Sequence, residues 1–102
     1  MSYSVTIQPD ARIELDEIYA YVAQTLKNPL DAQRLIGHLE DEILSLDEMP
    51  YRAPLSRDPR FAIQGVRTLV VANFTIYYIV DDVVHEVSVV HVAHHLRSSD
   101  NL

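Results

Sequence analysis

The feature that most constrains this chain is a break. Two long stretches with helical apolar spacing are separated by little more than Lys27-Asn28. In the first, opened by Pro9 and Asp10, the residues Leu15, Ile18, Tyr19, Val22, Ala23 and Leu26 recur at steps of three and four. That spacing puts them on one stripe of a helix. Pro9 costs nothing in a first turn, where its missing N–H has no helical partner. The acids Asp10, Glu14, Asp16 and Glu17 sit early, where the helix dipole favours negative charge. The second stretch restarts at once. Asn28 is a good N-cap, Pro29 suits the first helical position, and Asp31 falls in the first turn. Its stripe is Ala32, Leu35, Ile36, Leu39, Ile43 and Leu46, and Pro50 closes it, because the residue before a proline resists the helical region. So short a link forces the two helices antiparallel, as a helical hairpin. Gly37, isolated inside the second helix, is expected to mark close helix packing.

After residue 65 the apolar period changes to two. "VRTLVVA", "FTIYYIV" and "HEVSVVHV" are rich in β-branched and aromatic residues and read as three strands. Ala72-Asn73 and Asp81-Asp82 are the expected turns, short enough to make an antiparallel meander. At the other end of the chain "SYSVTI" alternates Tyr3, Val5 and Ile7 with small polar residues. That is a further strand, and it must join the meander, because a lone strand leaves its backbone groups unpaired. The expected fold is α+β: one strand, an antiparallel helical hairpin, then a three-stranded antiparallel meander, with the helices on one sheet face. A single domain over residues 1–102 is expected.

The charge is uneven. Residues 1–50 set Arg12, Lys27 and Arg34 against ten acids, while "YRAPLSRDPRFAIQGVR" holds Arg52, Arg57, Arg60 and Arg67 against Asp58 alone. Yet the whole chain has eight lysines and arginines and a net charge of -7. The acidic helix faces are expected to be solvated. Some of the arginines are expected to pair with Asp47 or Glu48. A domain of this length spans roughly 25–35 Å, against a Debye length of about 8 Å, so a partner near the arginines hardly feels the distant acids. A local anion-contacting or protein-contacting site is therefore open to this chain. Broad direct nucleic-acid binding, which needs many phosphate contacts, is not expected.

Other chemistries find little to use. There is no cysteine, hence no disulfide and no thiolate site. His91 and His95 would share a strand face, but no third ligand is evident, so no metal and no cofactor is expected. His38 and His85 are expected in solvent. Gly37 and Gly65 are the only glycines, too few for a phosphate-cradling loop, and no serine sits in a nucleophile elbow. No apolar run approaches the roughly 18 residues of a membrane span. The N-terminus lacks a basic head followed by an apolar stretch, so no secretory signal and a cytoplasmic location are expected.

The order and spacing of four pieces carry a resemblance over nearly the whole chain. They are "YSVTIQPDARIELDEIYAYVA", "NPLDAQRLIGHLEDEILSLDEMPYRAPL", "GVRTLVVANFTIYYIV" and "VSVVHVAHHLR". Together they resemble the RelE/ParE superfamily, the toxins of bacterial type II toxin–antitoxin modules of the plasmid-stabilisation kind. The resemblance implies the same fold and a cognate antitoxin that wraps the toxin. Arg67 matches the arginine of the family's Gly-Ile/Val-Arg motif and is expected at the entry to an inner strand. Tyr78 matches the aromatic of the third strand, and His94 and Arg97 match the tail pattern Val-x-His-x-x-Arg.

Two branches of the family differ in chemistry. In a RelE-like ribosome-dependent mRNA endonuclease, Arg67 and Arg97 would stabilise charge on the phosphoryl oxygens and His94 would transfer a proton, with no metal. In a ParE-like inhibitor of DNA gyrase, Arg52, Arg57, Arg60 and Arg67 would be contact residues on a protein target. This chain has a single lysine, Lys27, histidine at position 91 where members often carry arginine, and no aromatic in its terminal "SSDNL". These departures favour the gyrase inhibitor, ahead of the endonuclease and of a non-toxic binding domain that kept the fold.

Overall fold

A computed structural model describes residues 2–94, apart from the side chain of Leu26. Strand β1 (Ser4–Ile7) leads into helices α1 (Pro9–Leu26) and α2 (Pro29–Leu44). A short helix α3 (Pro59–Ala62) follows, then strands β2 (Arg67–Val71), β3 (Phe74–Asp81) and β4 (Glu86–His94). The architecture is α+β, with the helical hairpin packed on one face of a single sheet. Lys27 makes the link between α1 and α2 by adopting a left-handed conformation, φ 54°. The Asn28 side chain then caps α2 by accepting from the N–H groups of Leu30 and Asp31. The second helix ends earlier than its apolar stripe. After Leu44 the chain tightens into a 3-10 turn, Ser45–Asp47, which still buries Leu46.

The sheet order is β1-β4-β3-β2. The last three strands form the antiparallel meander, joined by Ala72-Asn73 and by a four-residue turn over 82–85, longer than the expected Asp81-Asp82. The Asp81 carboxylate starts that longer turn by accepting from the N–H groups of Val83 and Val84. β1 joins by running parallel to β4, Ser4 beside Glu86 through Ile7 beside Val89. So β2 is an edge strand, not the inner strand expected for Arg67, because the N-terminal strand adds at the far side of the meander.

A bulge decides which face each residue of β4 serves. Tyr78 pairs with Val89 and Tyr77 with His91, leaving Val90 extra. The shift turns Val92 and His94 toward the helices and His91 away from them, where strict alternation would have done the reverse. The core lies between hairpin and sheet: Leu15, Leu39, Ile43 and Leu46 against Phe74, Ile76, Tyr78, Val87, Val89 and Val92. Each fully buried large apolar side chain there contributes roughly 1.5–3 kcal/mol. Gly37 is no close-packing site, contrary to the sequence expectation: nothing lies within 4 Å of where its Cβ would be.

Candidate functional site

The arginine segment folds back along the sheet edge. Ser56 N–H donates to the Val66 carbonyl at 2.8 Å and Thr68 N–H to the Pro54 carbonyl at 3.0 Å, so residues 54–56 shield the start of β2. Between them the Asp58 side chain caps α3 by accepting from Arg60 N–H, with Pro59 at the first helical position. This helix was not expected from the sequence, although Asp-Pro is a helix-start signal. Gly65 ends the excursion at φ 82°, a conformation that glycine reaches without steric cost. Phe61 of α3 packs edge-on against Tyr77, ring centres 6.1 Å apart, on the sheet face away from the hairpin.

Each arginine has a different fate. Arg52 reaches α2, 3.1 Å from a carboxylate oxygen of Glu42 and 3.4 Å from its carbonyl. Arg60 closes on the cap of its own helix, 2.7 Å from Asp58, whose side chain is only 5% exposed. The Arg60 side chain is the main reason why the Asp58 pKa lies below the usual carboxylate value; its backbone N–H adds to this and burial opposes it. The partners are thus Glu42 and Asp58 rather than Asp47 or Glu48. Arg67 donates to the Ala53 carbonyl at 2.7 Å and lies over the Tyr51 ring, 4.7 Å from its centre. Arg57 is exposed and its side chain pairs with no described residue.

Arg52 and Arg67 come together around a buried phenol. Tyr78 stands directly opposite Arg67 in the β2–β3 register, and its hydroxyl donates to the Pro50 carbonyl at 2.7 Å. Burial raises the Tyr78 pKa; a backbone hydrogen bond from Ala53 and the charges of Arg67 and Arg52 pull against it. Sequence reasoning missed the residues beside this pair. The Tyr51 and Tyr3 hydroxyls both donate to the Asp82 carboxylate in the β3–β4 turn, Tyr3 at 2.7 Å. Those two hydrogen bonds hold Asp82 below the ordinary carboxylate value. The hydrogen bond to Asp82 in turn pushes Tyr51 up to about 12. A carboxylate accepting from a phenol enriches the ring in electron density, which suits the guanidinium stacked on it. No spacing rule could have found the set, since its members lie 31 and 79 residues apart.

His94 is elsewhere. It pairs with Phe74 at the other end of β3, the rings meeting edge-on at 5.2 Å. From Tyr78 to Phe74 is about 13 Å along the strand, and Arg67 and His94 lie a further strand apart on either side of it, about 4.8 Å each way. Arg97 lies outside the described residues, as does His95. Among the described residues no group of three or more histidines or acids is placed to hold a metal ion, and no helix is long and apolar enough to cross a membrane. His38 is exposed as expected, while His85 is half-buried against the Tyr3 ring at 5.1 Å.

Comparison with known proteins follows the same outline. The family model for the ParE toxin of the type II toxin–antitoxin system parDE matches residues 5–98. A solved structure of the chromosomal ParDE system from P. aeruginosa is similar over 91% of this chain and 96% of that one, with TM-score 0.74 and 21% identity. The toxin–antitoxin complex RelBE2 from Mycobacterium tuberculosis is similar over 92% and 99%, with TM-score 0.68 and 20% identity. A mutant of the E. coli toxin RelE in the free state is similar over 98% and 90%, with TM-score 0.60 and 17% identity. No curated protein sequence matches the chain.

Proposed function

The chain belongs to the ParE toxin family of type II toxin–antitoxin systems, and on that premise we propose that it arrests growth by binding DNA gyrase and is neutralised by a cognate antitoxin. The observation that supports binding over RNA cleavage is the separation of Arg67 from His94. A phosphoryl site needs its charge stabiliser and its proton donor on one phosphate, within hydrogen-bond reach. These two point from opposite ends of the sheet. Arg67 also turns toward the loop at Ala53, away from His94. A protein contact makes no such demand, because a few arginine and tyrosine anchors can carry most of its energy. Arg67, Arg52 and the half-exposed Tyr51 form such a set, with Arg57 and Arg60 on the neighbouring α3 segment as further contacts.

The test is pulse labelling with thymidine and methionine after induction, together with a gyrase supercoiling assay on purified protein. Thymidine incorporation is expected to fall first, and supercoiling to be inhibited. Arg67→Ala is expected to relieve the arrest while the protein still folds and still binds the product of the adjacent gene. Should methionine incorporation fall first, with cuts inside ribosome-bound mRNA, the endonuclease reading replaces this one.

A further inference from the structure

The β3–β4 turn is tightly built, yet it presents apolar side chains. Asp81 accepts from the N–H groups of Val83 and Val84. Each carboxylate oxygen of Asp82 takes one hydroxyl, from Tyr3 and from Tyr51. His85 closes the turn in a left-handed conformation, φ 53°, with its ring against Tyr3 and its carbonyl accepting the Ser4 N–H at 2.9 Å. Turn tips favour glycine, asparagine, aspartate and serine. This one carries Val83 and Val84, 93% and 62% exposed. The loop that holds Tyr51 adds Met49, 61% exposed, and the half-exposed Tyr51 ring itself. The hydrogen bonds to Asp82, with that of Tyr3 N–H to the Asp47 carbonyl, bring this loop and the turn together. An isolated apolar residue is ordinary on a protein surface. Exposed apolar side chains gathered from two converging segments form a patch, and patches mark contact surfaces. Arg67 borders this one, its guanidinium lying over the Tyr51 ring.

We infer that this turn is an apolar anchor of the target interface: Val83 and Val84, with Met49 and Tyr51, enter a nonpolar groove of the bound gyrase, and Arg67 meets a carboxylate on the rim of that groove. This rests on the gyrase-binding reading and states the chemistry that the other side of the contact needs. The occupant follows from continuity, since the patch adjoins Arg67 and Tyr51, the anchors of that contact. Charge agrees. One nitrogen of Arg67 holds the Ala53 carbonyl, and the other N–H groups of the guanidinium remain as donors for a carboxylate. Apolar neighbours that exclude water strengthen such a pair. The turn also loses little freedom on docking: its backbone is already fixed, and β-branched valine is stiff at χ1. A nucleic-acid phosphate would suit Arg67 equally well but has no use for two valines.

The experiment measures binding of the full chain to purified gyrase by biolayer interferometry, with growth arrest after induction as a second readout. The double variant Val83→Ser/Val84→Ser keeps the hydrogen bonds of the turn, because Asp81 and Asp82 bond to backbone N–H groups and tyrosine hydroxyls. Its melting curve is expected to match wild type. Its gyrase binding is expected to weaken about tenfold through lost apolar contact, and the arrest to be relieved. Leu30→Ser, which removes an exposed apolar side chain from the start of α2, is expected to leave binding unchanged. Added salt is expected to weaken binding of wild type, and of Arg67→Ala much less. Equal binding by wild type and the double variant, or equal weakening by Leu30→Ser, overturns the turn as an anchor and leaves the gyrase reading standing. With no gyrase binding by wild type that reading fails, and the arrest then decides the turn: relief in the double variant retains it as the anchor on another protein, and full arrest overturns it. Lost capture of the adjacent gene's product with gyrase binding intact assigns the turn to the antitoxin and overturns the inference. A dimer of the free chain that the double variant abolishes assigns it to a second copy and does the same.

Discussion

Arg67 spends much of its guanidinium inside the protein, on the Ala53 carbonyl and the Tyr51 ring. Its placement therefore depends on Tyr51, and Tyr51 depends on Asp82, which also takes the Tyr3 hydroxyl. This chain of dependence has a pH signature. The Tyr51 phenol, raised from 10.0 to about 12, prefers its neutral form in the folded protein. Its contribution to stability is complete below pH 10 and is lost as pH rises from there through about 12. Asp82, lowered from 3.8, does the opposite: its contribution is present above that value and is lost as pH falls through the folded pKa. Urea-unfolding midpoints measured across pH are expected to fall in both limbs. In Tyr51→Phe the alkaline limb is expected to flatten, and an unaltered limb would place the ionising group elsewhere.

Among the elements, the two glycines make opposite demands. Gly37 sits in the interior of α2 with open space around it, so a methyl group there meets no neighbour. Gly37→Ala is expected to raise stability by about 0.5–1 kcal/mol, the difference in helix propensity. Gly65 has the same free space, but its φ is 82°. Gly65→Ala is expected to cost about 1–2 kcal/mol, because a Cβ in that conformation crowds the following carbonyl. Thermal melts of the two variants decide both. A loss at Gly37 would place a neighbouring group against that helix surface.

For the whole molecule, the most consequential pairing is that of β1 with β4, which joins the two ends of the described chain. β1 supplies Val5 and Ile7 to the edge of the core, and Tyr3 N–H donates to the Asp47 carbonyl at 2.7 Å, tying the sheet to the end of the hairpin. Without β1, the N–H and C=O groups along that side of β4 have no partner, and Val87 and Val89, now fully buried, lose a neighbouring strand. Deletion of residues 2–7 is expected to abolish cooperative unfolding. Hydrogen exchange is expected to lose protection first in β4. Retained cooperative melting would show that the meander and hairpin suffice alone.

The sequence by itself determined whatever depends on neighbours a few residues apart. The apolar stripes, Asn28 and Pro29 determined the hairpin, and the period-two runs determined the meander, because capping and side-chain alternation are local. Asp58-Pro59 carried the signal for α3 as well, though too short a helix to show a stripe. Tertiary structure alone decided the rest. That β1 lies parallel beside β4, making β2 an edge, follows from how the hairpin crosses the sheet, and a four-residue strand does not encode its neighbour. The bulge at Val90, which sends His94 toward the helices, is a register choice made by packing Val92 into the core. The clustered arginines were legible as a concentration of charge; which of them are engaged within the protein was not. Glu42, Ala53 and Tyr51 settle how far Arg52 and Arg67 are already engaged, and they converge on these two only when the chain closes on itself, whereas Asp58 holds Arg60 from two residues away.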